Sequence, residues 1–189
     1  MQLMSTLRAE VASLAAQWIA DDGLDYQTAK LKALQRITGA RGGRGREDLP
    51  TNEEVEAAVR EHLQLYYPDD QPKRLRALRA SAARLMALLD DFSPWLMGAA
   101  ANGTATEHSG IHLECVADSA KELGILLLNQ GLASEASCIE GPGGAREALE
   151  LLWEGEPTCI GIVQRAQGLR ARGGLSLSDL QPLLEPDRP

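Results

Sequence analysis

The hydrophobic periodicity of this chain changes once, near residue 95, and that change decides its class. Before it, apolar residues recur at spacings of three and four, the period of one helix face. Leu7, Val11, Leu14 and Trp18 mark a first helix that Gly23 ends. Leu31, Leu34 and Ile37 mark a second, stopped by Gly39. Val55, Val59, Leu63 and Tyr66 mark a third, capped by Thr51 or Asn52, with Glu53 and Glu54 suited to its positive end. Leu75, Leu78, Ala82, Leu85, Leu89 and Phe92 mark a fourth, with Pro72 in its first turn. Beyond residue 95 the apolar runs are short. WLMGAA, IHLECVA and SEASCIE read as strands, and SAKELGILLLNQG between the last two reads as a helix with Ser119 as cap. ALELLWEGEPTCIGIVQ reads as a hairpin turning at EGEP, in preference to a short helix over GAREALELLW. The tail carries a loop and a short helix from Ser178 that packs Leu180, Leu183 and Leu184. Helices first and a small mixed β-sheet second make an α+β plan.

At 189 residues the chain is expected to form one domain, or one with a helical extension. The expected divisions are a helical region over 1–71, an α/β core over 72–165, and a C-terminal loop and short helix over 166–189. Aromatic residues make up only 4% of the chain, so aliphatic side chains and alanine must fill the core. No run of about 18 apolar residues predicts a membrane span. The start, MQLMSTLRAE, has no basic segment followed by an apolar one, so the expected location is the cytoplasm. A net charge of −8 argues against indiscriminate nucleic-acid binding. Cys115, Cys138 and Cys159 are scattered, with no CxxC spacing, and are expected as core residues. Two basic features stand out. ARGGRGREDLP reads as a solvated loop, with phosphate or RNA contact as the alternative. Lys73, Arg74, Arg76, Arg79 and Arg84 read as a solvated helix face, with a phosphate-facing patch as the alternative.

The segment from Trp95 to Asp118 breaks a strand at small and polar residues, then resumes it. Gly98-Ala99 follows the first strand. Gly103-Thr104-Ala105 makes a small-residue turn, and Ser109 precedes Gly110-Ile111-His112-Leu113. Ten residues separate Ala99 from Gly110. In order and spacing this resembles the signature of the DNA-polymerase-β-like nucleotidyltransferase superfamily, over roughly residues 72–165. Members carry a strand, Gly-Ser, a small-residue turn, and Asp-x-Asp on the next strand.

The resemblance implies a strand-turn-strand-helix core. It implies a nucleotide held at Gly98, Ala99, Asn102, Gly103, Thr104, Ser109 and His112. In an active member, two carboxylates two residues apart on one strand face hold Mg²⁺ against a triphosphate. Here Gly110 and His112 stand in place of that acidic pair, and Ala99 in place of the hydroxyl residue. Glu114 shares the parity of Gly110 and His112, and Glu150 stands on a later strand where a third carboxylate is expected. These two are the candidate catalytic groups. Glu107 lies in the turn. The resemblance therefore implies a nucleotidyltransferase-like protein with a degraded metal site, acting through a nucleotide, an RNA or a protein partner. Two alternatives stand beside it. One is a Mg²⁺-dependent nucleotidyltransferase using Glu114 and Glu150. The other is an interaction protein without ligand, whose N-terminal helices support a homo-oligomer. His108 and His112 share no helix face and have no third ligand nearby, which argues against zinc. There is no GxxxxGK[ST] loop.

Overall fold

The computed structural model describes residues 2–39, 49–141 and 144–185. The glycine-arginine segment 40–48 and residues 142–143 lie outside them. The chain divides into two compact units: residues up to Pro72 with Thr106–His108, and Lys73–Ala105 with Ser109–Pro189.

The first unit is helical. α1 (Gln2–Asp22), α2 (Tyr26–Thr38) and α3 (Asn52–Tyr66) form where the apolar spacing placed helices, but α2 buries Ala29, Lys30 and Ala33 and leaves Leu31, expected on its apolar line, 49% exposed. Their buried cluster is dominated by alanine and valine: Val11, Ala15, Ala16, Ala29, Ala33, Val55 and Val59 are fully buried. Small side chains let the helix backbones approach closely and compensate for the scarcity of aromatics. Tyr66, expected on this line, is 64% exposed. Thr51 is the N-cap of α3 and forms a capping box with Glu54. Its hydroxyl accepts from the Glu54 N–H, and the Glu54 carboxylate accepts from the Thr51 N–H. Glu54 also receives Arg8 from α1 at 2.6 Å. Thr51→Ala is expected to destabilise the helical unit by about 1 kcal/mol. The urea midpoint read from Trp18 fluorescence checks this, since the Arg8–Glu54 pair survives the substitution. His62 Nε2 lies 3.2 Å from the Asp21 carboxylate.

The second unit is a five-stranded sheet with helices. α4 (Asp70–Leu88) leads through a 3-10 turn into β1 (Trp95–Met97). Then follow α5 (Gly98–Asn102), β2 (Ile111–Val116), α6 (Ala120–Asn129), β3 (Glu135–Gly141), β4 (Gly144–Trp153) and β5 (Glu156–Val163). α7 (Leu177–Leu180) closes the described chain together with a further 3-10 turn. The strand order is β1-β2-β5-β4-β3, with β2 parallel to β5 and every other pair antiparallel. The sheet is therefore mixed, and the α+β class holds.

Four differences from the sequence expectations have physical causes. WLMGAA is not one strand, because α5 begins at Gly98. Arg79 holds that short helix from α4 by donating to the carbonyls of Ala100 and Ala101 at 2.8 and 3.0 Å. The α4 basic face is solvated at Lys73, Arg76 and Arg84, while Arg74, Arg79 and Arg84 are engaged by other groups of the chain. Arg74 pairs with Glu156 and donates to the Ser109 carbonyl at 2.9 Å, and Arg84 pairs with Glu154. Ser119 makes no side-chain cap; Glu147 accepts the Ala120 N–H instead, at 2.8 Å. The tail helix starts after Ser176, which forms a capping box with Asp179, rather than at Ser178. The tail also folds with the sheet unit, where Leu175 bridges Leu96 on the free edge of β1.

The hairpin expected at EGEP is β4–β5. Trp153 pairs with Glu156 across a two-residue turn in which both Glu154 and Gly155 have positive φ, as a primed turn requires. Glu154 is an unusual residue for that conformation. Its carboxylate is anchored by Ser81 at 2.6 Å and by Arg84, which holds its pKa down to about 2.

One face of the sheet is closed. Ile111, Leu113 and Cys115 of β2, Leu149 and Leu151 of β4, and Ile160 and Ile162 of β5 lie in one buried cluster. Leu78, Leu85 and Met86 of α4 and Leu123 and Leu127 of α6 complete it.

Candidate functional site

The opposite face of the sheet carries the residues singled out by the sequence. Alternation along β2 turns Ile111, Leu113 and Cys115 inward, and His112 and Glu114 to the other side. Strand register extends that side into rows. Met97, His112, Cys159, Glu150 and Glu135 are consecutive partners across the five strands. The next row holds Trp95, Glu114, Gly161, Ala148 and Ser137.

Gly98 and Ala99 open α5 at the end of β1. Gly98 has φ +65° and is exposed, and a Cβ placed on it would lie 3.5 Å from His112 Nδ1. The imidazole thus stands against the first turn of α5. His112 has exposed surface, yet the protein packed around its ring lowers its pKa below the ordinary histidine value. At pH 7 it is a neutral hydrogen-bonding group.

The other residues of the motif are committed to local structure. Gly103 ends α5 with φ +87°. The Asn102 carboxamide oxygen accepts from both the N–H and the hydroxyl of Thr104, at 3.0 and 2.7 Å. Thr104 is 2% exposed. Asn102 and Thr104 therefore close the turn that follows α5. Ser109 takes part through its carbonyl, which receives Arg74.

Magnesium does not fit these residues. A Cβ added at Gly110 would meet the Pro157 carbonyl oxygen at 2.2 Å, so this position has no room for a carboxylate. His112 presents nitrogen, whereas Mg²⁺ prefers oxygen. Glu114 is 6% exposed and clamped by two guanidiniums. Arg146 donates to it at 3.0 and 3.2 Å, and Arg172 at 2.8 and 3.3 Å. Burial pushes the Glu114 carboxyl up, and the bonds from Arg146 and Arg172 more than offset this, leaving it below the ordinary value. Glu150 is exposed, accepts the Ser137 hydroxyl at 2.7 Å, and lies beside Cys159 rather than β2. Glu114 and Glu150 are thus two strands and two residues apart and do not form a pair. Among the described residues no group of three or more His, Cys, Asp or Glu side chains is placed to hold a metal ion.

Two groups here, Arg146 and Arg172, escaped the sequence reading, and Cys159 departs from the core role expected of it. Cys159, the register partner of His112, is half-buried, and burial raises its thiol pKa. Cys115 is buried as expected, its thiol pushed up to about 12, whereas Cys138 on the edge strand β3 is exposed. Arg146 and Arg172 were missed because nothing local marks them. The available signal was Glu114 itself, a charge in the middle of an inner strand, which demands buried partners.

Comparison with known proteins finds no matching family model, no matching curated protein and no matching solved structure. No helix among the described residues is long and apolar enough to cross a membrane.

Proposed function

We propose that this chain binds a nucleotide where His112 is exposed beside the start of α5, at Gly98, Ala99 and His112, without metal chemistry. The observation that carries this reading is the contact of His112 with the first turn of α5, at a strand-helix-strand junction whose acidic positions hold Gly110 and His112. Gly98 leaves that approach free of a side chain. The exposed Gly98 and a neutral imidazole suit a phosphate oxygen or a base edge. The Arg146–Glu114–Arg172 clamp and the closed Gly110 position favour binding over nucleotidyl transfer. The degraded-transferase reading accounts for Gly110 and His112, whereas a ligand-free interaction protein leaves the open junction without a use.

Calorimetric titration with ATP, GTP, CTP and UTP, each with and without Mg²⁺, tests this. Binding of at least one nucleotide, equally tight in either condition, is expected. His112→Ala should weaken it about fivefold to tenfold, the loss of one hydrogen bond. Binding that requires Mg²⁺, or none at millimolar nucleotide, would sink the reading.

A further inference from the structure

The parallel strands β2 and β5 end side by side at Val116 and Val163, and the chain leaves them in opposite directions. After β2 it enters α6, whose Leu123 and Leu127 pack in the closed-face core. After β5 it crosses to the other face, where Arg172 reaches Glu114. Where neighbouring parallel strands diverge in this way, a crevice opens outside their carboxyl ends, a recurrent ligand position in α/β sheets. A cavity of about 470 Å³ lies there, lined by Asp118, Arg146, Glu147, Gln164, Arg165 and Arg172 among others. It stands at the far end of β2 from Gly98 and His112, so it is independent of the nucleotide reading.

The charges of this crevice are unevenly committed. Glu147 is spent on the Ala120 N–H of α6. Glu114 faces two guanidiniums with one carboxylate, so the clamp keeps a net positive charge. Each guanidinium has five N–H donors, and Arg146 and Arg172 each give two to Glu114. Arg146 Nε is buried without an acceptor. Arg165 is exposed on the lip and forms no ion pair with a described carboxylate. Asp118 also lines the crevice, and its backbone carbonyl accepts from the Gln164 side chain at 3.4 Å.

We propose that this crevice binds a small phosphorylated or carboxylated metabolite, its anionic group held by Arg165 and by the outer donors of Arg146 and Arg172. The Glu114 clamp orients the two guanidiniums, and Arg165 supplies the uncommitted charge. Planar guanidiniums suit either anion, because both present paired oxygens to a fork of donors.

The test is an NMR titration of the full chain, following the arginine side-chain Nε–H signals. Inorganic phosphate and acetate serve as probes, against chloride at matched ionic strength. Saturable shifts confined to Arg146, Arg165 and Arg172 are expected with at least one of the two. The stronger probe identifies phosphate or carboxylate as the preferred group. Arg165→Gln, a change at an exposed loop position, should raise the midpoint about fivefold. Three results would each overturn the proposal: no saturable shift beyond chloride, equal shifts at arginines of the helical unit such as Arg36 and Arg60, or an Arg165→Gln titration that matches the wild type.

Discussion

Gly110→Ala is expected to destabilise the sheet unit by about 3 kcal/mol or more, and Gly110→Asp to prevent it from folding. The added Cβ would sit 2.2 Å from the carbonyl oxygen of Pro157, with the carbonyl carbon at 3.2 Å. That obstacle is backbone, fixed where β5 begins beside β2, so no rotamer change relieves it. Overpacking against movable side chains typically costs about 1–3 kcal/mol, and a fixed carbonyl should cost at least the upper figure. Stabilities of whole domains are only about 5–15 kcal/mol. Gly124→Ala is the control. Its Cβ meets nothing nearer than Leu149 Cδ1 at 3.9 Å, inside α6, and should stabilise by about 0.5–1 kcal/mol. Urea unfolding followed by Trp95 and Trp153 fluorescence, in a Trp18→Phe background, reads the sheet unit selectively. Gly110→Ala within 1 kcal/mol of wild type would refute the steric argument. It would also reopen the possibility of rebuilding a metal site by substituting aspartate at this position.

The helices and strands were legible because each has a periodicity longer than its own ends. The four apolar lines before residue 95 became α1 to α4, and the EGEP hairpin became β4 and β5. α5 was not legible. Five residues are too few to show a period, and the helix rests on Arg79, some twenty positions upstream, to satisfy its last carbonyls. The same distance hid the partners of the α4 arginines. Amphipathicity separates a polar face from an apolar one, but it does not say that Glu154 and Glu156 will turn back to meet that face.

For the candidate site, alternation along β2 correctly set His112 and Glu114 against the core residues. Strand order was the missing information. β5 inserts between β2 and β4, so Cys159 becomes the neighbour of His112 and Glu150 is carried one strand further away. Order depends on how the β3–β4–β5 meander docks onto β2, which is a tertiary choice that no single segment encodes. The lack of space at Gly110 has the same origin, because it exists only once Pro157 lies alongside.

Glu114→Ala is expected to destabilise the sheet unit by about 3 kcal/mol at pH 7. Removing one partner of a buried ion cluster strands the remaining charges, at a cost of about 3–5 kcal/mol when they are fully buried. The lower figure applies here because the Arg146 and Arg172 side chains keep 20% and 36% of their exposure. Glu114→Gln should cost less, since the amide oxygen still accepts from one guanidinium. Replacing Glu114 and both arginines by methionine should recover most of the loss, because no stranded charge then remains. Losses in Glu114→Ala that persist in the triple variant would mean that packing, not charge, holds this corner. The pH dependence provides an independent reading. The folded Glu114 carboxyl lies below its ordinary value of 4.5, so the unfolded chain binds the proton more readily. Its contribution is complete above that value and is lost as the pH falls through the folded pKa. Glu114→Gln should therefore flatten the fall in stability below pH 4.5, leaving the slopes due to the other carboxyls of the sheet unit held below their ordinary values: Glu156, and Glu154 and Asp179, which lie at about 2. An acid limb identical in wild type and Glu114→Gln would show that the two arginines do not hold this carboxylate in its charged form.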